Sequence, residues 1–331
     1  MSTSTARNTA EYVTDDAYGK NWHLMLGDSC ERLAEIDSDS VDLSICSPPF
    51  ASLFTYSPSV RDLGNSSSRV EFIEHYKFII AEQLRVTKPG RIACIHVQQL
   101  TTTKATHGYV GMTDFRGDVI RAFQDEGWIF WGEVTVWKDP QAQSIRTRTQ
   151  QLAFASKNRD SARIRPALAD YLLLFKKPGD NAVKIPHEAT RGEVTNDDWI
   201  EWASPIWVDY SEGGWLDEDG GLCPVWYGIK ESDTLNVKVA RDEADERHIC
   251  PLQLGFIERC IKLWSNPGET VLTPFAGIGS ELYVAVKHGR KAIGCELKPS
   301  YWATAVSNMQ ALEAELSKPS LFSMDGESGG E

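Results

Sequence analysis

The stretch TVLTPFAGIGSELYVAVKHGRKAIGCELKPSYWATAV, residues 270–306, decides the architecture of this chain. A short apolar run ends in a Gly-rich turn, an amphipathic segment follows, and a second apolar run leads into another helical segment. That alternation is the unit of a parallel sheet. Gly277 and Gly279 carry no side chains, so the backbone can approach a ligand closely while N–H groups at the helix start point outward. The next strand ends in Glu296, seventeen residues beyond Gly279, where a carboxylate can accept hydrogen bonds from two ribose hydroxyls. The pairing points to a nucleoside-containing cofactor. Spacing alone would also admit a dinucleotide, against which stand the single short glycine pair and the Pro274-Phe275 ahead of it.

Upstream the same alternation continues. Residues 1–20 read as a loose arm, and WHLMLGDSCERLAEI, 22–36, as strand, turn at Gly27-Asp28 and short helix. Phe72, Ile73, Tyr76, Ile79, Ile80 and Leu84 recur at helical spacing before the stop residues Lys88-Pro89-Gly90. RIACIHV (91–97), WIFWGEVTVW (128–137) and ADYLLLFKKPG (169–179) read as strands, and DFRGDVIRAFQDEG (114–127) and PLQLGFIERCIKLW (251–264) as helices. Periodicity fades over 180–245, which reads as an inserted, largely non-helical module. Its tryptophans 199, 202, 207, 215 and 226 are expected to form a small core of its own rather than a base-stacking platform. The tail, 317–331, reads as disordered.

VDLSICSPPF, 41–50, is the second informative stretch. Its first half alternates as a strand entering a protein interior, and two prolines then end it, since Pro48 has no N–H and Pro49 restricts Pro48. A rigid turn is left carrying one hydroxyl, Ser47, and one ring, Phe50. Alone it could be merely a stiff loop.

The totals set limits. At 331 residues the chain can bury a full core. It has no apolar run of membrane-spanning length, and its polar start lacks the centre of a secretory signal, so a cytoplasmic location is expected. Seven cysteines without a C-x-x-C pair suggest buried thiols rather than disulfides or zinc, and His248 with Cys250 makes a poor metal pair. The net charge of −13 speaks against a nucleic-acid partner. Yet Lys138 to Arg165 holds seven basic residues against two acidic, and Asp180 to Asp245 sixteen acidic against five basic. One positive face on an acidic body could focus a polyanion, although a solvated basic loop would look the same.

Together these residues resemble the amino-methyltransferases of DNA, in the circularly permuted group whose catalytic turn precedes the cofactor turn. Ser47-Pro48-Pro49-Phe50 matches the family's Ser/Asn/Asp-Pro-Pro-aromatic turn at every position. Thr273, Pro274, Phe275, Gly277, Gly279 and Ser280 match its Asp-Pro-Phe-x-Gly-x-Gly-Ser/Thr motif except at the first residue, where Thr273 replaces the acid. LGDSCERL, VTKPG and RHICPLQL add support, and the likeness covers most of 22–312, thinning over 140–165 and 180–245.

The resemblance implies a Rossmann-like fold, a mostly parallel seven-stranded sheet with one antiparallel hairpin, and S-adenosyl-L-methionine as cofactor. It implies a catalytic half over 21–179 with a basic loop at 138–165, a target-recognition insert over 180–245, and a cofactor half over 246–316. Asp28, Thr273, Pro274, Phe275, Gly277, Gly279, Ser280 and Glu296 would bind the cofactor, Asp28 near the adenine unless it only caps a helix. Double-stranded DNA would be the partner, with Arg146, Arg148, Arg163 or Arg165 on phosphates. A homodimer and a cognate restriction endonuclease are further partners the family allows; no metal is called for. The exocyclic nitrogen of cytosine or adenine is a poor nucleophile, because its lone pair is delocalised into the ring. Ser47 Oγ and the Pro48 carbonyl would accept its hydrogens, and Phe50 would stack on the extruded base. Within the family Ser at the first position favours cytosine N4 over adenine N6. Methylation of RNA or of a protein glutamine, and a non-catalytic DNA-binding protein, are the alternative readings.

Overall fold

The computed structural model describes residues 12–50, 61–66, 68–138, 158–187, 192–209, 228–229, 233–235 and 251–318. In chain order the strands are β1 (Asp15–Tyr18), β2 (Trp22–Leu26), β3 (Val41–Cys46), β4 (Thr87–Gln98), β5 (Leu100–Thr102), β6 (Gly111–Thr113), β7 (Ile129–Val136), β8 (Asp170–Lys176), β9 (Ile206–Asp209), β10 (Gly228–Ile229), β11 (Thr270–Thr273) and β12 (Lys291–Glu296). The helices are α1 (Ser29–Arg32), α2 (Arg69–Val86), α3 (Lys104–His107), α4 (Phe115–Asp125), α5 (Asn196–Trp202), α6 (Leu254–Trp264), α7 (Ser280–Lys287) and α8 (Pro299–Leu316).

Ten strands form the main sheet in the order β1-β2-β12-β11-β3-β4-β8-β7-β9-β10, and β5 with β6 forms a separate hairpin. The expected seven strands are its centre, β2 to β7. There β2, β12, β11, β3 and β4 run parallel, and β8 is antiparallel to both β4 and β7. Three strands beyond that expectation extend the edges, β1 beside β2 and β9 with β10 beside β7. Their shortness hid them: β1 is the four polar-leaning residues DDAY, and β9 is IWVD.

The period-two pattern divides the interior into two layers. Leu43 and Ile45 of β3, Ile92 and Cys94 of β4, and Leu172 and Leu174 of β8 meet α6, α7 and α8 through Phe256, Ile257, Cys260, Ile261, Leu282, Ala285, Ala305 and Met309. The alternate residues Cys46, Ala93, Ile95, Leu173 and Phe175 meet α2 and α4 through Phe72, Tyr76, Ile79, Ile80, Phe115, Val119 and Phe123. Trp207 departs from the expected separate tryptophan core. It is 1% exposed and belongs to the main core on the α6 side, because β9 is a strand of the main sheet.

At the end of the sheet where β3, β4 and β11 begin, a buried ion cluster holds the three strands in register. Asp42 accepts from Lys88 Nζ at 2.7 Å and from the Thr270 N–H at 3.0 Å. Arg91, 2% exposed, donates to both oxygens of Glu269, one at 2.9 Å. With that end locked, the opposite ends of β3 and β11 are held side by side. Among the described residues no helix is long and apolar enough to cross a membrane.

Candidate active site

The two motifs, some 230 residues apart in sequence, leave the same edge of the sheet. β3 and β11 are adjacent and parallel, pairing Leu43 with Val271 and Ser44 with Leu272. β3 ends at Cys46 and releases Ser47-Pro48-Pro49-Phe50; β11 ends at Thr273 and releases the Gly-rich turn. From β11 the sheet goes to β12 on one side and to β3 and β4 on the other, so the crevice between them is the switch point where open α/β sheets bind ligands.

The cofactor turn is held by its own backbone. The Ala276 N–H donates to the Cys295 carbonyl at 2.8 Å, and Asn308 Nδ2 donates to the Ile278 carbonyl at 2.9 Å. Gly277 and Gly279 have φ of 53° and 89°, left-handed values that disfavour other residues. At Gly279 a Cβ would also stand 3.1 Å from Ala305 Cβ. Ser29 Oγ donates to the Pro274 carbonyl, tying the turn to α1, while the Phe275 ring lies 5.9 Å from Tyr76.

Glu296 reaches across from β12. Its Oε2 accepts from the Gly277 N–H at 2.7 Å and its Oε1 from the Lys298 N–H at 2.8 Å. Burial pushes its carboxyl up to about 7 against those two bonds. Thr273 Oγ1 and Ser280 Oγ are buried without a hydrogen-bond partner among the described residues. Orphaned hydroxyls beside a pre-oriented carboxylate fit a bound nucleoside cofactor, because buried polar groups are ordinarily satisfied. Asp28 does cap α1, accepting from the Cys30 N–H at 3.0 Å, and it also lines a cleft of about 240 Å³ with Arg61, Asp62 and Ser66. Asp62 acts electrostatically on Glu296, so this cleft adjoins the carboxylate suited to the ribose.

The catalytic turn rests on a polar chain that the sequence reading missed. Ser47 Oγ lies 3.1 Å from His96 Nδ1 and 3.3 Å from the His96 carbonyl. His96 Nε2 lies 3.0 Å from Asp170 Oδ2, and Gln98 Nε2 donates to Asp170 Oδ1 at 2.7 Å. Lys138 Nζ completes the chain 3.3 Å from Asp170 Oδ2. Burial acts to raise the Asp170 carboxyl, yet His96 and Lys138 together hold it at about 2. Phe50 lies 6.1 Å from Phe115 and 6.5 Å from His96, and Phe256 closes on His96 from α6 at 5.4 Å. The signal was faint: His96 and Gln98 sit near the end of an otherwise apolar strand, and Asp170 opens the next apolar one.

The basic residues are less alike than their count suggested. Lys138 is 3% exposed and paired with Asp170, so it is not part of an open positive face. Arg163 is exposed, with Asp160 4.0 Å away, whereas Arg165 is half-buried and donates to the Gly111 carbonyl at 3.0 Å. Arg146, Arg148, His248, Cys250, Trp215 and Trp226 lie outside the described residues, as do 1–11 of the expected arm and 319–331 of the expected tail. Burial raises the thiols of Cys46 and Cys295, and that of Cys30 to about 12, leaving none of the three poised as a nucleophile.

The DNA methylase family profile, N6_N4_Mtase, matches residues 41–307. The Type II methyltransferase M1.MboII of Moraxella bovis is 31% identical over 139 residues, 39% of this chain and 49% of that protein. The Type II methyltransferase M.MjaI of Methanocaldococcus jannaschii is 22% identical over 305 residues, covering 85% and 88%. Against M1.MboII, M.BglI and M.MthZI the chain spans half or less of the relative's length, 49%, 43% and 32%. Among solved structures, the PvuII DNA methyltransferase (cytosine-N4-specific) superposes with a TM-score of 0.60 at 16% identity, covering 89% of this chain and 91% of that one. A DNA modification methylase of Thermus thermophilus complexed with S-adenosyl-L-methionine superposes at 0.59 with 20% identity, covering 88% and 93%. These structures share the fold.

Proposed function

This chain belongs to the DNA methylase family, and we propose on that premise that it methylates an exocyclic amino nitrogen of a DNA base, cytosine N4 in preference to adenine N6. The observation that carries the reading is the exit of the two turns from adjacent parallel strands at one crevice. When bound, S-adenosylmethionine supplies an electrophilic methyl group. Glu296 would hold the ribose, and Thr273, Ser280 and the N–H groups at the start of α7 would take the remaining polar atoms.

Ser47 acts as an acceptor. Asp170, ionised far below neutral pH, can only accept, so it draws the proton of a neutral His96 to Nε2 and leaves Nδ1 as an acceptor. The Ser47 hydroxyl then spends its one hydrogen inside the protein, on Nδ1 or on the His96 carbonyl. Its lone pairs face outward for an amino hydrogen, and the Pro48 carbonyl, held by the ring of Pro49, accepts the other. With both hydrogens drawn off the ring plane, the nitrogen lone pair can point at the methyl group, so positioning supplies most of the acceleration. Phe50 would stack on the extruded base. The segment 180–245 would read the target, and Arg163 with the neighbouring basic residues would contact phosphates.

The choice of cytosine rests on Ser47 standing at the first catalytic position, where the family's adenine enzymes carry Asp or Asn. Mass spectrometry of nucleosides from DNA incubated with the protein and labelled S-adenosylmethionine tests both levels. N4-methylcytosine is expected. N6-methyladenine alone would overturn the base preference, and no incorporation into any DNA would overturn the activity.

A further inference from the structure

Glu281 has no role in the reading so far. It is the second residue of α7 and 5% exposed. Among the described residues, its carboxyl is acted on by burial, by its own backbone N–H and by the charge of Glu296, with no cation among these influences. It lies within electrostatic reach of two landmarks, Glu296 on one side and Cys46, the residue before Ser47, on the other. The orphaned hydroxyl of Ser280 is its neighbour in sequence, and that of Thr273 stands at the end of β11.

We propose that Glu281 is the counter-ion of the cofactor's sulfonium, and that it makes the site prefer the charged methyl donor over the neutral thioether left after transfer. The proposal rests on the S-adenosylmethionine reading of this site. The methyl-bearing sulfur must stand at the Ser47 end of the crevice, since the amine is held there, and the proximity of Glu281 to Cys46 puts the carboxyl at that end. A carboxylate here also answers the substitution at Thr273, where the family's acid is missing: the charge has moved eight residues along the same motif.

Burial, with a smaller contribution from Glu296, pushes the Glu281 carboxyl up to about 8. Through neutral pH it therefore keeps its proton until a cation arrives, and a permanent sulfonium charge would expel that proton. The thioether carries no such charge. The amino-acid ammonium cannot create the preference, because donor and product both have it. The facing groups do not obscure the effect: burial raises Cys46 and Tyr76, which stay neutral, and Glu296 faces the ribose that both ligands share.

Calorimetry with the full chain, using S-adenosylmethionine and S-adenosylhomocysteine in buffers of differing ionisation enthalpy from pH 6.5 to 8.5, tests this. For the wild type, only the charged ligand should release the additional proton, and its affinity relative to the thioether should rise with pH up to about 8. Glu281→Gln should lose about tenfold or more in S-adenosylmethionine affinity, the equivalent of one pK unit, with the thioether changed less than about threefold on the same scale. Glu281→Asp, which keeps the charge, should retain the preference and the proton release, and it serves also if the Gln variant does not fold. Equal losses for both ligands, or no loss for either, would overturn the proposal while leaving the cofactor reading intact. A wild type that binds neither ligand would overturn both.

Discussion

The catalytic turn and the cofactor turn leave neighbouring strands, yet the protein completes one far more than the other. Ser47 is engaged by His96, and through it by Asp170, Gln98 and Lys138. The cofactor turn instead leaves Thr273 Oγ1 and Ser280 Oγ unpartnered, with Glu281 pushed to about 8 and Glu296 to about 7 by burial. Ordinary folding would not leave such groups uncompensated. The contrast follows from what each turn handles. Ser47 must offer a fixed acceptor to a base that has left its helix, so its geometry has to exist beforehand. The cofactor brings its own donors and its own charge, so its side of the crevice can stay unsatisfied until it binds.

The largest effect expected separates the two turns outright. Ser47→Ala should slow methyl transfer by about 10²–10³, the usual loss on removing one pre-positioned polar group, with S-adenosylmethionine affinity unchanged. Single-turnover assays beside calorimetry would show the split, and a matching fall in affinity would mean the turns are not separate devices. Asp170→Asn comes next. It leaves Lys138 buried without its counter-charge, at about 3–5 kcal/mol of stability, measurable by urea denaturation. The wild type should show the same pair in its acid limb. Asp170 has a folded value near 2 against 3.8, so its contribution of about 2 kcal/mol is complete above the unfolded value and is lost as pH falls from about 4 toward 2. Glu281 works in the opposite sense. Its value is raised on folding, so its contribution to stability falls as pH rises from 4.5 to about 8, and Glu281→Gln should flatten that decline in a series of melting temperatures.

Legibility in the sequence followed how local each signal was. The strands β3, β4, β8 and β11 and the helices around them were readable, because period-two and helical repeats are properties of adjacent residues. The cofactor turn was readable for the same reason: glycine spacing and Glu296 lie within one strand-turn-helix-strand unit. What escaped was assembled from afar. His96 and Asp170 are 74 residues apart, on strands that become neighbours only when β8 inserts antiparallel beside β4, and each alone looked like a polar interruption. Trp207 was misplaced because a four-residue edge strand carries too little pattern to separate it from a loop. Lys138 was counted as surface charge because composition cannot tell which cation has a buried partner.

Gly279→Ala tests the cofactor turn with a smaller effect. The new methyl meets Ala305 Cβ at 3.1 Å and the backbone keeps a φ of 89°, so a loss of about 1–3 kcal/mol is expected. Weaker cofactor binding should accompany it, whereas Gly277→Ala, with nothing within 4 Å of the added Cβ, should show only the backbone part. Smallest of all is the contrast between two arginines two residues apart. Arg163 keeps its side chain 81% exposed, while Arg165 has given a guanidinium hydrogen to the Gly111 carbonyl. If the exposed one meets phosphate, Arg163→Ala should lower the slope of log affinity against log salt by about 1, uniformly across DNA sequences. Arg165→Ala should leave the slope alone and loosen the β5–β6 hairpin, because its charge already serves the protein. Measuring DNA binding of both variants from 50 to 200 mM salt, about the range over which such slopes resolve, decides whether exposure or mere proximity in sequence selects the phosphate contact. Equal slopes for both variants would remove Arg163 from the interface.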